Sequence, residues 1–398
     1  MSVFNSLGSN YSFSFALKAL FTRNKIQYSD DLKSFLKDKY GGEAILLYKG
    51  REALKLALKV LDLPKGSFVA INGFTCYAVY EAIIKTGYKV EYIDIEKQEL
   101  NFSPKGLIDR LNYNPEIKVV IIQNTLGYPC EALEIEKICR DRKIFLIEDL
   151  AHSAGAYYKK EKEAGTIGDF VVLSFSQDKM IDSISGGALI VRNKQYLESP
   201  FNLVQIGKRQ QAVDRLYPLF TYLIRKTYDL KVGKVLHLLL RRGDLLSSPM
   251  NGLNGKGLCA LQLWYCCLAR IQFKNLKNLI EHRRQIANIY AKTLNSEILS
   301  PSIVSSISRS TNLRFPIFVD KRDDLIKSLR KHNIFISDIW YDAPIAPKRY
   351  MKLTDYNREC SQSEVVSSRI LNLPTHINVT EDDAKNIARL INKWLKSQ

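Results

Sequence analysis

The sequence predicts an α/β fold in which a mostly parallel central sheet carries helices on both faces and a smaller α+β domain follows. Between residues 45 and 192, short apolar runs of strand length alternate with amphipathic helical segments. Such alternation is typical of βαβ units, whose parallel strands are buried on both faces. After a long helical stretch, strand and helix patterns resume from about residue 312, which indicates the second domain.

The strands and helices predicted between residues 44 and 191 follow from residue composition and spacing. Seven apolar runs have the length and residue types of buried strands. They are 44–48, 68–72, 90–95, 119–123, 144–147, 173–175 and 188–191. Apolar residues recur at helical spacing in 51–61, 77–86 and 134–141. Because ligands of such sheets bind beyond the C-terminal ends of the strands, the residues after each strand are the first candidates for a site.

Four regions are predicted along the 398 residues, since this length fits a large domain plus a smaller one. They are an N-terminal segment 1–44, a large α/β domain 45–204, an apolar and basic helical insertion 205–250, and a long helix with the small α+β domain at 251–398. Within the last two regions we predict helices at 215–228, 233–242, 257–290, 322–332 and 381–396, and strands at 313–319 and 334–336.

The charge balance favours anionic ligands. The chain has 59 Lys and Arg against 41 Asp and Glu, a formal net charge of +18. Since the basic residues are spread along the chain and no zinc-finger or RNA-binding motif occurs, we expect no nucleic-acid partner. The seven cysteines lack C-x-x-C spacing, so neither a disulfide framework nor a metal site is expected. No signal-like start and no run of about 20 apolar residues occurs, which predicts a cytoplasmic protein.

Three local features lie where such a sheet would place a ligand. The strand 144–147 leads into Asp149 and His152, and the strand 173–175 contains Ser174 and leads into a polar turn with Lys179. The third feature is Lys49-Gly50-Arg51, at the start of a predicted helix. Each feature alone is weak evidence, because an Asp after a strand often caps a helix and most lysines are merely solvated. Helix starts that can bind an anion are also common.

Together the three features meet the needs of a pyridoxal phosphate enzyme. Such an enzyme requires a lysine amine for the cofactor aldehyde, an acid beside the pyridine nitrogen, and a phosphate cup at a helix start. Lys179 supplies the amine and Asp149 the acid. Gly50 with Ser174 supplies the cup. The sequence therefore predicts a pyridoxal phosphate site formed by residues that are distant along the chain.

The order of several segments resembles the DegT/StrS-type sugar aminotransferases, which are fold-type-I pyridoxal-phosphate-dependent enzymes. These segments are GREALKLAL, VEYIDIE, LGYP, IEDLAHSAGA, GDFVVLSFSQDK and SGGALIV, followed by RRQIANIYAKTL and ILNLPTHINVTEDDAKNIARLI. The resemblance covers roughly residues 45–195 and 255–395. Its most specific part is the Asp-x-x-His pattern followed, at this separation, by Ser-Phe-x-x-x-Lys.

The resemblance implies a role for each matching residue. Lys179 would hold the cofactor and move a proton, Asp149 would keep the pyridine nitrogen protonated, and His152 would face the phenolic oxygen. The phosphate would lie against Ser174 and the backbone of Gly50 and Arg51. Relatives that are sugar dehydratases carry His in place of this lysine, so Lys179 favours amino transfer. Glutamate is the expected donor, a nucleotide-linked keto-sugar the expected acceptor, and a homodimer the expected assembly.

Some positions depart from the family pattern. The usual Ser-Gly-Thr phosphate turn is Lys49-Gly50-Arg51, so a hydroxyl is lost and a cation gained. The asparagine that a partner subunit usually sends to the phosphate has no clear match, and Ser248 and Asn251 are the nearest candidates. These differences leave the acceptor open. A lipid-linked or amino-acid substrate is one alternative, and a non-catalytic protein with this fold is another.

The insertion 205–250 has two interpretations. Its leucines and valines alternate with lysines and arginines, which is the pattern of helices that lie on anionic membranes. The other interpretation is that these helices pack on the protein and enlarge a dimer contact. If the membrane interpretation holds, the enzyme would be peripheral to the inner face of the membrane.

Overall fold

The computed structural model describes residues 2–198, 201–248, 257–336 and 340–398. Its strands are β1 Val3–Phe4, β2 Glu43–Leu47, β3 Phe68–Asn72, β4 Thr75–Cys76, β5 Lys89–Ile93, β6 Ile117–Ile122, β7 Phe145–Asp149, β8 Phe170–Ser174, β9 Gly187–Val191, β10 Phe315–Phe318, β11 Ile334–Phe335, β12 Ile345–Ala346 and β13 Ile370–Leu373. The α-helices are α1 Phe13–Phe21, α2 Gln27–Tyr40, α3 Gly50–Val60, α4 Tyr77–Ile84, α5 Pro104–Tyr113, α6 Ala132–Asp141, α7 Lys208–Thr227, α8 Val232–Arg242, α9 Leu263–Thr293, α10 Pro301–Ser306, α11 Arg322–Lys331, α12 Ser361–Arg369 and α13 Glu381–Leu395.

A seven-stranded sheet with the order β2-β9-β8-β7-β6-β3-β5 forms the centre of the large domain. Only β9 runs against its neighbours, β2 and β8, and every other pairing is parallel. The predicted mostly parallel α/β sheet is thus confirmed, and each of the seven predicted strand segments overlaps one strand of it. Because β2 and β8 both oppose β9, they share a direction with β7, and their C-terminal ends meet at one edge.

Both faces of the sheet are buried, which explains why its strands have continuous apolar runs. Neighbouring residues of one strand point to opposite faces. In β6, Val120 and Ile122 pack into one core, whereas Val119 and Ile121 pack into the other. The first core also contains residues of α2, α5, α6 and α9, and the second contains residues of α3 and α4.

The C-terminal part has its own apolar core, formed by α10, α11, α13 and the end of α9 around the antiparallel pair β10 and β13. The first strand of the chain joins this part, since β1 pairs in parallel with β11. The sequence pattern predicts no such contact, because a two-residue strand has no readable period. Among the described residues no helix combines the length and apolar character needed to cross a bilayer.

The first helix of the insertion, α7, packs firmly on the protein. Val213, Tyr217 and Ile224 are buried along it, and so is the carboxylate of Asp214. Asp214 accepts hydrogen bonds from the hydroxyls of Tyr48 at 2.7 Å and Tyr265 at 2.5 Å. These hydroxyls lie beside β2 and on α9, so a single buried carboxylate connects the insertion to the large domain.

We predict that Asp214→Ala lowers the free energy of unfolding by about 2–4 kcal/mol, because two buried hydroxyls lose their acceptor. Chemical denaturation monitored by circular dichroism measures this change. Arg209→Ala is the matched control, since Arg209 lies on the same helix and is exposed. It should change the stability by no more than about 0.5 kcal/mol. Equal effects of the two substitutions would contradict this account of how α7 is held.

Candidate active site

A cavity of about 350 Å³ lies at the sheet edge where β2, β7 and β8 end. Its wall includes Lys49, Gly50, Arg51, Asp149, His152, Ser174, Lys179, Trp340, Tyr341 and Arg349. All six site residues predicted from the sequence therefore line one cavity. Asp149 is the last residue of β7 and Ser174 the last of β8, while Lys179 lies in the loop that connects β8 to β9.

The amine of Lys179 meets the imidazole of His152, with Nζ 3.0 Å from Nε2. The other ring nitrogen, Nδ1, accepts the backbone N–H of Leu126 at 3.1 Å. A neutral imidazole has one N–H, so this contact assigns the proton to Nε2. The Nε2–H group then points at Lys179, and it can donate only to an amine that has lost its own positive charge.

Burial sets the protonation state of both groups. Because it disfavours charge, burial lowers the pKa of Lys179, although Asp149 and Asp178 oppose the shift. Burial, together with the positive charges of Lys179 and Arg314, lowers the pKa of His152 well below its ordinary value. Burial therefore favours the neutral imidazole of His152 and the neutral, nucleophilic form of the Lys179 amine. The contact between them has the geometry for Nε2–H to donate to Nζ.

The carboxylate of Asp149 is buried with few partners. Among the described residues, the backbone N–H of Ala151 donates to it at 2.9 Å. Burial raises the pKa of Asp149, while that N–H and the charge of Lys179 lower it in part. A buried carboxylate of this kind is stabilised when a cation binds beside it. A protonated pyridine nitrogen is such a cation.

The loop that carries Lys179 is held by the N-terminal segment. Asn10 donates to the backbone carbonyl of Lys179 at 3.1 Å and to the carboxylate of Asp182 at 3.0 Å. Ser9 donates to Asp178 at 2.9 Å. The guanidinium of Arg283 on α9 donates in turn to the side-chain oxygen of Asn10 at 2.8 Å. The position of the Lys179 amine thus depends on the first residues of the chain.

The N-terminus of α3 forms an anion cup at the other end of the cavity. Gly50, its first residue, lies so close to Ser174 that an added Cβ would be 2.7 Å from the Ser174 Cβ. Only glycine permits this approach, which brings the backbone N–H groups of α3 beside the Ser174 hydroxyl. That hydroxyl makes no hydrogen bond to any residue that the structure describes. It is available to an incoming anion.

Lys49 places a buried cation beside this cup. The side chain is almost fully buried, and Nζ donates to the hydroxyl of Ser185 at 3.1 Å. Among the described residues no carboxylate lies within salt-bridge distance of it. Burial lowers the pKa of Lys49 to about 8, against the opposing charge of Asp214. The sequence showed that a cation replaces a hydroxyl here, but not that its side chain is enclosed.

Three other residues were predicted near the phosphate: Arg51, Ser248 and Asn251. The guanidinium of Arg51 pairs with Glu81 at 3.1 Å, so the backbone of Arg51, not its charge, is aligned with the cup. Ser248 lines the cavity within the same chain. Asn251 lies outside the residues that the structure describes.

Aromatic residues on the segment after β11 close the cavity, and the sequence patterns did not predict them. The indole of Trp340 stacks on His152 with ring centroids 5.3 Å apart, and Lys179 Nζ lies 4.4 Å from the indole centroid. Tyr341 packs on Phe74 at 4.6 Å. Arg349 adds an exposed cation to the wall, and it makes no ion pair with any described residue. These residues follow β11 in a segment without regular period, so no local signal identifies them.

The arrangement fits a flat ring that carries a reactive carbonyl, a protonated nitrogen and a phosphate. The Lys179 amine suits the carbonyl, the Asp149 carboxylate suits the nitrogen, and the cup of Gly50 and Ser174 with Lys49 suits the phosphate. The described residues contain no group of three or more His, Cys, Asp or Glu side chains placed to hold a metal ion.

Comparison with known proteins gives the same result. The profile of the DegT/DnrJ/EryC1/StrS aminotransferase family matches residues 23–392. The GDP-perosamine synthase of Vibrio cholerae is 24% identical over 92% of this chain and 90% of its own. The UDP-4-amino-4,6-dideoxy-N-acetyl-beta-L-altrosamine transaminase of Campylobacter jejuni subsp. jejuni is 26% identical over 86% of this chain and 82% of its own.

A solved structure has the same fold. It is PseC of Helicobacter pylori, an aminotransferase involved in the biosynthesis of pseudoaminic acid, with a TM-score of 0.75, 17% identity and complete coverage of both chains. A shared fold alone does not assign a family, but the family profile matches nearly the whole chain. The chain belongs to the DegT/DnrJ/EryC1/StrS aminotransferase family, and it is a pyridoxal-phosphate-dependent aminotransferase.

Proposed function

We propose that this aminotransferase moves the amino group of glutamate to the keto group of a sugar carried on a nucleotide diphosphate. The observation that carries the proposal is the buried amine of Lys179, which lies against His152 in a cavity lined by more basic than acidic residues. Four basic residues, Lys49, Arg51, Lys179 and Arg349, line this cavity, against the acids Asp149 and Asp178. Such a wall favours ligands with phosphate and carboxylate groups.

The names of the relatives support the class of acceptor. One acts as a GDP-perosamine synthase and another as a transaminase of a UDP-linked amino sugar. Their nucleotides differ, so what they share is a sugar on a nucleotide diphosphate. In this chain Arg349 lies exposed at the cavity wall and is the cation we assign to an anionic group of the substrate.

Each residue has a defined task in the proposed reaction. When bound, the cofactor supplies an electron sink for charge that develops at the substrate carbon. Lys179 Nζ accepts and returns the proton at that carbon, for which a pKa lowered by burial is required. Asp149 keeps the ring nitrogen protonated by its negative charge. His152 orients the amine through Nε2 and is itself oriented by Leu126. Trp340 and Tyr341 exclude water above the site.

Assembly is part of the proposal. Family members are expected to form homodimers with sites at the subunit interface. We propose that this enzyme is a homodimer of that kind.

The experiment that tests the proposed function follows the cofactor by absorption spectroscopy. Glutamate added to the enzyme with bound pyridoxal phosphate should convert the cofactor to its aminated form and release one equivalent of 2-oxoglutarate. A GDP-linked or UDP-linked keto-sugar should then reverse the spectral change and yield an amino sugar detectable by mass spectrometry. Lys179→Ala should show neither step, whereas Lys59→Met, an exposed site on α3, should behave as the wild type.

Three outcomes would contradict the proposal in different ways. A spectral change with another amino acid but not with glutamate would overturn the donor. An enzyme that returns the amino group to 2-oxo acids but to no nucleotide-linked keto-sugar would overturn the acceptor. Failure to bind pyridoxal phosphate at all would contradict the site itself.

A second prediction concerns Lys49 and the phosphate. Because no described carboxylate lies within salt-bridge distance of this buried cation, we expect Lys49→Met to weaken the binding of pyridoxal phosphate by about 10- to 100-fold at pH 7. Pyridoxal lacks the phosphate that we assign to Lys49, so its affinity should fall by no more than about threefold. Fluorescence titration measures both affinities, and Lys59→Met is the control.

The pH dependence of the affinity for pyridoxal phosphate tests whether the charge of Lys49 contributes to binding. The pKa of Lys49 is lowered to about 8, so the cation is present below pH 8 and is lost above it. The affinity of the wild type for pyridoxal phosphate should therefore fall between pH 7 and pH 9 relative to that of Lys49→Met. Titrations of the cofactor and of Lys179 cancel in this comparison because both proteins share them. Parallel curves for the two proteins would show that Lys49 does not contact the phosphate.

A further inference from the structure

The second helix of the insertion, α8, exposes an apolar stripe. Val232, Val235 and Leu239 are 59%, 57% and 59% exposed. Their i, i+3, i+7 spacing places them on one face of the helix. Leu230 and Leu245, both exposed as well, extend this stripe at the two ends of the helix. More than half of the large apolar side chains that are exposed in the described chain lie on α1, on α7, on α8 or next to them.

The α8 stripe is held in a fixed orientation. A Cβ at Gly233 would overlap the carbonyl oxygen of Ile224, so α8 lies in direct contact with the backbone of α7. Leu240 is buried on the inner face. The turn before α8 is fixed by Tyr228, whose ring packs edge-on against Phe4 at 4.8 Å. Because the inner face is occupied by the protein, the outer stripe is a permanent surface of the monomer.

Basic side chains lie beside the stripe. Five exposed cations lie on α8 or close to it and form no ion pair with a described residue: Lys226, Lys231, Lys234, Arg241 and Arg242. The nearby acids are Asp229, which is bound by Ser2 in the turn, and the exposed Asp244. The surface therefore combines apolar side chains with an unbalanced positive charge, within a chain whose formal net charge is +18.

The charge distinguishes between two occupants of this surface. In a twofold contact between two copies of the chain, the stripe would meet itself and the two sets of five cations would face each other, which is unfavourable. An anionic lipid surface is complementary to both features, since it accepts the apolar side chains below the headgroups and neutralises the cations. Lysine and arginine side chains at the edge of such a stripe can also reach headgroup phosphates while their stems cover apolar surface.

We infer that α8 docks this aminotransferase on the surface of an anionic bilayer, with Val232, Val235 and Leu239 inserted at the headgroup boundary. The helix lies in the interface and does not cross it. The two interpretations of the insertion then apply to different helices, because α7 packs on the protein and α8 contacts lipid. Docking would hold the enzyme near acceptors or partner enzymes at that surface.

The test is sedimentation of the full-length enzyme with vesicles. The protein, saturated with pyridoxal phosphate, is mixed with vesicles of phosphatidylcholine and phosphatidylglycerol at 3:1, or of phosphatidylcholine alone, at 0.1 M salt. We expect binding to the mixed vesicles at least about tenfold tighter than to the neutral ones, since each of several basic residues contributes about a fivefold factor near an anionic surface. Raising the salt to 0.5 M should weaken binding to the mixed vesicles.

Variants locate the contact. Val235→Glu with Leu239→Glu, and separately Lys234→Glu with Arg241→Glu, should each reduce vesicle binding by at least about tenfold. Ile108→Glu with Tyr113→Glu is the matched control, since both residues are exposed apolar side chains on α5. It should bind vesicles as the wild type does. The cofactor absorption and the glutamate reaction of every variant report that the fold is intact.

Three results would overturn the inference. The first is equal, weak binding to both kinds of vesicle. The second is loss of binding in the α5 control to the same extent as in the α8 variants. The third is a change in molecular mass by light scattering when Val235→Glu and Leu239→Glu are introduced, which would show that a second copy of the chain covers the stripe. A blue shift of Trp fluorescence in Leu239→Trp, seen only with the mixed vesicles, would place the stripe in the lipid.

Discussion

The burial of one lysine amine beside one carboxylate is the constraint on which the site depends. Asp149 is the last residue of β7, and Lys179 lies in the loop after the neighbouring strand β8. Burial disfavours the charge of each side chain. The Nε2–H group of His152 favours the neutral form of the amine, because it can donate only to an uncharged Nζ. A protonated ring nitrogen beside Asp149 would stabilise the carboxylate. The site is thus suited to a ligand that places a cation beside the carboxylate and reacts with the amine.

The rest of the fold holds these groups in place from distant parts of the chain. The parallel direction of β2, β7 and β8 brings the amine, the acid and the phosphate cup to one edge. The N-terminal segment then fixes the lysine loop through Asn10, which Arg283 fixes in turn. Asp214 attaches α7 next to the same edge, beside Tyr48 and Lys49. The first helix of the insertion is therefore attached beside the candidate site, while α8 carries the exposed apolar stripe.

The sequence predicted those parts of the site that directly follow a strand or begin a helix. Asp149 and Lys179 could be predicted because they follow buried strands, and Gly50 because it begins a helix. Asn10 and Trp340 could not be predicted, since each acts through a contact between segments that have no periodic pattern. The burial of Lys49 could not be predicted from the sequence either, because a lysine at a helix start is usually solvated. Only the packing of Tyr48 and Ser185 around its side chain makes it a buried cation.

The central claim is that burial beside His152 lowers the pKa of the Lys179 amine. Its most direct test is competitive acylation of the cofactor-free enzyme over a range of pH, with the extent of labelling at Lys179 measured by mass spectrometry against added free Nα-acetyl-lysine. Acylation requires the neutral amine, so the midpoint of labelling reports the pKa. The account predicts a midpoint for Lys179 well below that of the free amino acid, and a shift of this midpoint in His152→Phe. A midpoint equal to or above that of the free amino acid would contradict it.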